Sequence, residues 1–256
     1  MRGFNLTYGK AAKFYDLFGE KPDVDFYKGQ ALLSRGRVLE LGVGTARLAL
    51  ELARSGITVV GIDNSRDMLR VAKRKLAREP REVRRRIMLK RGDMRNLRLQ
   101  GKFSMIYIPA STFDHHTRVE DQRKVLRCVR RNLEDGGRFV FDVEQFSPGK
   151  PPCSWWMERK EIGKGRTVVR SGFVRSNLRE KVSTLHLFFD LYRNGKLIER
   201  YYEHGQVAIF TKRQLVRLLE ETGFGVEAVY GDFESNHTVR SPRMVFVARR
   251  VERGSQ

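Results

Sequence analysis

Cysteine is scarce in this chain of 256 residues, and long apolar runs are absent from it. The two cysteines, Cys128 and Cys153, fit neither a disulfide framework nor a metal-ligand spacing such as C-x-x-C. No apolar run approaches the roughly 18 residues that a membrane-spanning helix needs. The polar, basic start MRGFNLTYGKAAK lacks the apolar core of a signal peptide. We therefore expect a cytoplasmic globular protein with no membrane partner, whose 40% hydrophobic residues suffice for a full core.

Acidic residues are few relative to basic ones. The 51 Lys and Arg against 30 Asp and Glu give a formal net charge of +21. Clustered cations would suit an anionic partner such as RNA, because they neutralise phosphates, whereas spread cations indicate a solvated surface. In the densest stretch, 66–91, Leu69, Ala72 and Leu76 fall at helical spacing and leave most cations on the opposite face. We therefore interpret the net charge mainly as a solubilising surface. A contact with RNA through the basic stretch 81–86 remains the alternative interpretation.

From residue 37 to 143, short β-rich segments alternate with amphipathic segments. This alternation is typical of a parallel sheet covered by helices on both faces. Capping boxes are expected where Thr117 and Thr211 precede helices. The predicted strands are 37–41, 57–62, 87–90, 103–108 and 138–142, and the predicted helices are 45–54, 65–79 and 118–134.

The hydrophobic period changes between 151 and 210, where four β-rich segments are separated by short turns. Asn194-Gly195 between two of them is a strong hairpin signal. We interpret 151–210 as an antiparallel β subdomain, a lid or a dimerisation surface, inserted into an α/β domain formed by 1–150 and 211–250. The inserted strands are predicted at 155–162, 166–175, 181–193 and 197–210, and the last helix and strands of the α/β domain at 212–222, 226–230 and 243–248.

The strongest functional signal lies between the first strand and the helix after it. The segment VLELGVGTARLALELA places Gly42 and Gly44 where the strand ends. Glycines let the backbone approach a ligand closely, and a helix N-terminus offers free N–H groups. Asp63 ends the next strand, 21 residues after Gly42, where a ribose diol would bind, and Asp93 follows the third strand. These groups meet at the carboxyl edge of the sheet, where ligands of open α/β sheets bind.

A nicotinamide-binding protein is disfavoured, because Arg47 occupies the third glycine position of that fingerprint and Glu40 would face the pyrophosphate. Taken in order, E-L-G-V-G-T, G-I-D-N-S and G-D-M resemble the class I S-adenosylmethionine-dependent methyltransferases. The resemblance covers nearly the whole chain. It implies an α/β fold, a Rossmann-like seven-stranded methyltransferase sheet with an antiparallel last strand and, here, an inserted antiparallel β region. It also implies S-adenosyl-L-methionine as the cofactor.

The same resemblance assigns cofactor-binding residues by their positions in the motifs. Ala46 departs from the pattern, since many members of the family have glycine there, and the turn is therefore expected to be tighter or shifted. An ordinary loop carboxylate or helix cap is the alternative role for Asp63 and Asp93. The implied contacts are Glu40, Gly42 and Gly44 around the methionine part, Asp63 at the ribose, Asp93 and Met94 at the adenine, and Asn64 and Met68 beside them.

Within the superfamily, the segments AKFYDLF, G-D-M-R and ASTFDHH and the late β insertion resemble small-molecule enzymes such as glycine and amino-sugar N-methyltransferases. That resemblance implies that Tyr15 reaches over the cofactor, with Phe14 and Tyr8 as weaker candidates and simple packing as the alternative. His115 follows the fourth strand, where it would act as a base or orient the acceptor, unless it is an ordinary surface histidine. No metal site is expected, because the five histidines show no metal-ligand spacing.

Three functions compete at this point. The leading one is methyl transfer to a nitrogen or oxygen of a small-molecule substrate. An RNA methyltransferase is the alternative, although Ile108-Pro109-Ala110-Ser111 stands where enzymes that methylate base amines have Asn/Asp-Pro-Pro-aromatic. A cofactor-binding regulatory protein is the non-enzymatic alternative. The aromatic residues of the insertion suit a lid, a homodimer surface or sheet packing, and the homodimer is left open.

Overall fold

The computed structural model describes residues 8–18, 22–145, 152–233, 236, 238 and 241–251. The first seven residues of the polar, basic start, MRGFNLT, lie outside the described residues. Within these ranges, no helix combines the length and the apolar character needed to cross a bilayer. The helices are α1 (Asp23–Ser34), α2 (Arg47–Arg54), α3 (Arg66–Leu76), α4 (Arg81–Arg84), α5 (Val119–Asn132) and α6 (Lys212–Glu221), with 3-10 helices at Lys10–Leu17 and Thr112–His115.

The strands form two separate sheets. The larger sheet contains β1 (Val38–Leu41), β2 (Val59–Asp63), β3 (Ile87–Arg91), β4 (Phe103–Ile108), β5 (Leu133–Glu144), β10 (Phe224–Tyr230) and β11 (Arg243–Arg250). The smaller sheet contains β6 (Cys153–Glu161), β7 (Arg166–Asn177), β8 (Val182–Arg193) and β9 (Lys196–Ala208).

The larger sheet has the strand order β10-β11-β5-β4-β1-β2-β3. β1 pairs in parallel with β2 and β4, β2 with β3, and β4 with β5. β11 is antiparallel to both of its neighbours, β5 and β10. The predicted seven-stranded, Rossmann-like sheet with an antiparallel last strand is therefore confirmed. Its chain order reverses between β1 and β4, and the carboxyl ends of these two strands flank the position where such sheets bind ligands.

Both faces of the larger sheet are buried. Every residue of β1 and β4 is buried, which explains their near-continuous apolar sequences. Tyr27 of α1 and Leu48 of α2 belong to the apolar cluster on one face. Val125 of α5 and Leu215 of α6 belong to the cluster on the other face. Since burial of one such side chain is worth about 1.5–3 kcal/mol, these two layers fix the sheet that positions the site.

The smaller sheet is antiparallel throughout and lies in the chain between β5 and α6. It confirms the predicted β insertion, whereas the division into two domains stays a prediction. The turn between β8 and β9 has positive φ at Asn194 and Gly195, as a tight hairpin with this sequence requires. One face of the sheet packs on the N-terminal 3-10 helix, where the rings of Phe14 and Phe189 stack at 6.5 Å.

One of the two predicted capping boxes is different in the structure. The capping box at Thr117 is wrong, because α5 begins at Val119 and its cap position is Arg118, which makes no side-chain cap bond. Thr211, by contrast, forms the predicted capping box with Gln214. α1 was not predicted, since its apolar residues do not line one face.

Candidate active site

A cleft of about 900 Å³, including space open to solvent, lies at the carboxyl edge of the larger sheet. It is formed by the turn after β1, the ends of β2 and β3, the loop after β4 and the N-terminal 3-10 helix. Nine of the ten predicted site residues line it, and Glu40 does not. The lining residues are Tyr8, Tyr15, Gly42, Gly44, Ile62, Asp63, Asn64, Ser65, Met68, Gly92, Asp93, Met94, Arg95, Ala110, Thr112, His115 and His116.

The turn after β1 brings backbone atoms to the floor of the cleft. Gly42 has φ +79°, and a Cβ added there would lie 2.4 Å from the Cγ2 atom of Thr112, so no other residue fits without displacing that side chain. Gly44 has φ +52°. Ala46, the position before α2, also has positive φ, at +59°, and is fully buried. The departure at Ala46 therefore leaves the turn in a left-handed conformation that costs about 1–2 kcal/mol for an L residue, and α2 begins at Arg47 rather than near Thr45.

Asp63 joins this turn to the end of β2. One carboxylate oxygen accepts a hydrogen bond from the Gly44 N–H at 2.8 Å, and the other accepts one from the Ser65 N–H at 2.7 Å. Burial raises the pKa of Asp63, although these backbone bonds oppose the shift. An ionised carboxylate has about four lone-pair sites. The Asn64 N–H also bonds to this carboxylate, so Asp63 keeps accepting capacity for about one ribose hydroxyl while it holds the glycine turn in place.

Asp93 lies at the exposed rim of the cleft. It accepts a hydrogen bond from the Arg95 N–H at 2.9 Å and forms an ion pair with the Arg95 side chain at 2.6 Å. The Arg95 guanidinium holds the pKa of Asp93 below its usual value. Met94 lines the cleft next to this pair. The sequence analysis did not single out Arg95, whose role depends on the side chain turning back to Asp93.

Glu40 lies in β1 and is only 2% exposed. The Tyr107 hydroxyl donates a hydrogen bond to its carboxylate at 2.8 Å. Burial raises the pKa of Glu40 to about 8. Glu40 is not among the residues that line the cleft, and its contact with the methionine part of the cofactor stays a prediction.

Tyr8 and Tyr15 cover the cleft from the N-terminal segment. Their rings meet edge to face at 5.0 Å, and burial raises the pKa of both hydroxyls. The segment is attached to the turn after β1 by Asp16, which accepts a hydrogen bond from the Thr45 hydroxyl at 2.7 Å and pairs with Lys75 at 2.9 Å. Tyr15, the stronger candidate from the sequence, and Tyr8, the weaker one, thus lie side by side.

His115 and His116 line the same cleft from the loop after β4. Burial lowers the pKa of each to about 4, so both imidazoles are neutral at physiological pH. The His115 Nδ1 atom is buried and has no hydrogen-bond partner among the described residues. His115 is therefore available to a ligand as a neutral hydrogen-bonding group, and a pKa this low makes it a weak general base.

Asp142 at the end of β5 fixes the loop that carries these histidines. Its carboxylate accepts hydrogen bonds from the N–H groups of Ala110 and Ser111, both at 2.9 Å. Both of these residues have positive φ, so the loop adopts a conformation that is costly without such bonds. The Tyr27 hydroxyl donates to Asp142 at 2.7 Å, and Arg243 forms an ion pair with it.

Two further cavities adjoin the cleft, and Tyr8 borders all three. One lies beside Arg47, Arg243 and Asp23. The other, about 1500 Å³ including open space, lies between β5 and the smaller sheet and is lined by Trp156, Glu144 and other residues. Arg170 borders both of these cavities, and its guanidinium pairs with Glu158 at 2.8 Å through Nε.

The cleft fits the cofactor that the sequence motifs imply. Gly42 and Gly44 line the cleft with backbone atoms where the amino-acid end would bind, and the remaining lone pair of Asp63 suits a ribose hydroxyl. Met68 and Met94 provide apolar lining farther along the cleft. Among the described residues, no group of three His, Cys, Asp or Glu side chains could hold a metal ion.

Comparisons with known proteins agree with this geometry. Residues 38–137 match the family model described as a methyltransferase domain. The Bacillus subtilis protein YqeM, named as a methyltransferase, is 24% identical over 252 residues, which is 96% of this chain and 97% of that protein.

Solved structures share the fold across nearly the whole chain. The CcbJ methyltransferase from Streptomyces caelestis has a TM-score of 0.81 at 21% identity, over 96% of this chain and 99% of that one. CalS10 from Micromonospora echinaspora, an amino pentose methyltransferase solved with S-adenosylmethionine bound, has a TM-score of 0.72 at 20% identity, over 96% and 99%.

Proposed function

Because this chain is a class I S-adenosylmethionine-dependent methyltransferase, we propose that it methylates a nitrogen or oxygen nucleophile of a small molecule. The observation that carries the proposal is the cavity that adjoins the cofactor cleft at Tyr8 and is lined mainly by residues of the smaller sheet. CalS10, which shares this overall fold, is an amino pentose methyltransferase. A cavity beside the cleft suits a compact acceptor better than a polymer.

The lining of that cavity indicates a polar acceptor. Trp156 offers an aromatic surface, and Glu144 and Arg170 offer charges of opposite sign. The Glu144 carboxylate suits an amine or hydroxyl donor, and the Arg170 guanidinium suits an anionic or hydroxyl oxygen. These groups would orient the acceptor so that its nucleophile points past Tyr8 into the cleft.

The cofactor, when bound, supplies a methyl group on a sulfonium, and transfer is an in-line displacement. The residues of this chain therefore need to align the nucleophile and exclude water. Tyr15 and His115 both line the cleft, and each can hold a polar atom of the acceptor. Since the pKa of His115 is about 4, we assign it an orienting role through its free Nδ1 atom.

The test is transfer of a labelled methyl group from S-adenosylmethionine into a cell extract that is then separated into metabolites, RNA and protein. Label in the metabolite fraction supports the proposal, and the acceptor can be identified from it. Label in RNA would favour the RNA methyltransferase that the net charge of +21 suggested. No label in any fraction, with intact cofactor binding, would favour a regulatory protein. The Asp63→Ala variant, which should bind the cofactor more than tenfold more weakly, serves as the control when the cofactor is held below its dissociation constant for that variant.

A further inference from the structure

Arg95 lines the cleft just after the end of β3, two strands away from β1 and its glycine turn. A cofactor with its amino-acid end at that turn and its ribose at Asp63 reaches the end of β3 with its base, because β1, β2 and β3 are neighbours in the sheet. Of the residues described at this cleft, Arg95 is the only lysine or arginine that lines it. Its side chain therefore belongs to the adenine end of the site.

The carboxylate of Asp93 is engaged by this one arginine. Its Oδ1 atom accepts from the Arg95 backbone N–H at 2.9 Å and from Nε at 3.0 Å. Its Oδ2 atom accepts from Nε at 3.1 Å and from Nη2 at 2.6 Å. These four contacts match the roughly four lone-pair sites of a carboxylate. Asp93 therefore has little capacity left for the amino group of a base.

The Arg95 guanidinium is held along its N–H edge. Nε and Nη2 donate to Asp93, and Nη1 lies 3.5 Å from the Oδ1 atom of Asp121 in the first turn of α5. Every guanidinium nitrogen thus lies next to a carboxylate oxygen. A planar group whose edge is used in this way has its flat faces left for a ligand.

The two carboxylates also decide which part of the cofactor the guanidinium suits. An uncompensated cation in the cleft would repel a sulfonium, whereas the charge of Arg95 is balanced by Asp93 and Asp121. Arginine stacks on aromatic rings through its flat face, and adenine is the aromatic part of the cofactor. Since exposed ion pairs of this kind contribute little to stability, holding the loop is a minor role for the pair.

We propose that Arg95 is the adenine platform of the cofactor site, with its guanidinium held by Asp93 and Asp121 and one flat face stacked on the base. Asp93 is then a positioning residue that acts through Arg95, and it does not accept the adenine amino group. Met94 and His116 line the same cleft and would contact the base beside this platform. This role concerns the cofactor and is independent of the acceptor.

The first experiment needs no variant. Calorimetry measures the binding of S-adenosylhomocysteine to the full-length chain, and of its analogue in which unsubstituted purine replaces adenine. The analogue keeps the ring that stacks, so we expect the two affinities to agree within about threefold, because stacking tolerates changes of base. A loss of more than about tenfold, as for a lost hydrogen bond to a charged group, would overturn the proposal and assign the amino group to Asp93.

The second experiment separates stacking from ion pairing. Arg95→Phe keeps a flat face and loses both ion pairs, whereas Arg95→Lys keeps the positive charge and loses the flat face. We expect Arg95→Phe to bind S-adenosylhomocysteine within about threefold of the wild type, and Arg95→Lys to bind it about five to ten times more weakly.

An affinity of Arg95→Lys equal to or above that of Arg95→Phe would show that the flat face is not used, and it would overturn the proposal. Arg98→Phe is the matched control, because Arg98 is an exposed residue of the same loop and does not line the cleft. This variant should bind S-adenosylhomocysteine as the wild type does. Circular dichroism checks that each variant is folded.

Discussion

Asp142 is the residue whose replacement tests most directly how the site is held together. It is fully buried at the end of β5, and it accepts hydrogen bonds from the Tyr27 hydroxyl and from the N–H groups of Ala110 and Ser111. Its ion pair with Arg243 adds a charge interaction, and the Arg243 side chain is 28% exposed. A neutral side chain at this position would leave a largely buried guanidinium without its carboxylate.

The Asp142→Asn variant keeps the shape and one accepting oxygen but removes the charge. Breaking a buried ion pair from one side costs about 3–5 kcal/mol. Because Arg243 keeps partial access to water, we expect a loss near 3 kcal/mol in the free energy of unfolding. For a protein of this size, that corresponds to a decrease in Tm of roughly 6–12 °C.

Urea unfolding measures the loss, with the Glu51→Gln variant as the matched control. Glu51 pairs with Arg54 at 2.8 Å, and both side chains are nearly half exposed, so its loss should be below about 1 kcal/mol. If Asp142→Asn lost no more unfolding free energy than this control variant, the loop after β4 would not depend on the buried carboxylate. The comparison requires that m, the slope of the unfolding free energy against urea concentration, is the same in both variants as in the wild type.

Further predictions concern the cleft. Asp63→Ala should weaken S-adenosylmethionine binding, measured by calorimetry, more than tenfold, since a hydrogen bond to a charged group is worth about 1.5–3 kcal/mol. Asp67 lies outside the cleft, so equal weakening of binding in Asp67→Ala would contradict this prediction. Tyr15→Phe and His115→Ala should lower turnover at unchanged cofactor affinity, and a parallel loss of affinity would show that they were misassigned. The unfolding free energy of Glu40→Gln should rise relative to that of the wild type as pH rises from 4.5 to about 8, because the folded wild type holds the Glu40 proton more tightly than the unfolded chain does. A difference in unfolding free energy between the two proteins that does not vary with pH would refute the buried proton.

The parallel sheet was predictable because its central strands, β1 and β4, are buried on both faces. The segments 103–108 and 38–41 are apolar at nearly every position, and flanking turn residues set their ends. Helix starts were less predictable, since a cap depends on which residue directly precedes the first helical turn. Thr211 satisfies that condition and Thr117 is one residue too early.

The residues of the site likewise divide into those that the sequence could predict and those that it could not. Gly42, Gly44, Asp63 and Asp93 follow from topology, because a residue just after a parallel strand reaches the carboxyl edge wherever the sheet forms. The role of Asp142 could not be predicted from topology in this way, although Asp142 also lies at the end of a strand. Its role comes from a loop whose left-handed residues and donors are visible only in three dimensions.

The N-terminal 3-10 helix shows why the remaining site residues needed the structure. Such a helix has weaker hydrogen-bond geometry than an α-helix, so its position is set by what it contacts. Asp16 attaches it to the turn after β1 through Thr45, and Lys13 attaches it to the smaller sheet through Glu199 at 3.1 Å. The same short segment therefore places Tyr8 between the cofactor cleft and the cavity under the smaller sheet. Neither contact has a local sequence signal, since the partners lie 29 and 186 residues away along the chain.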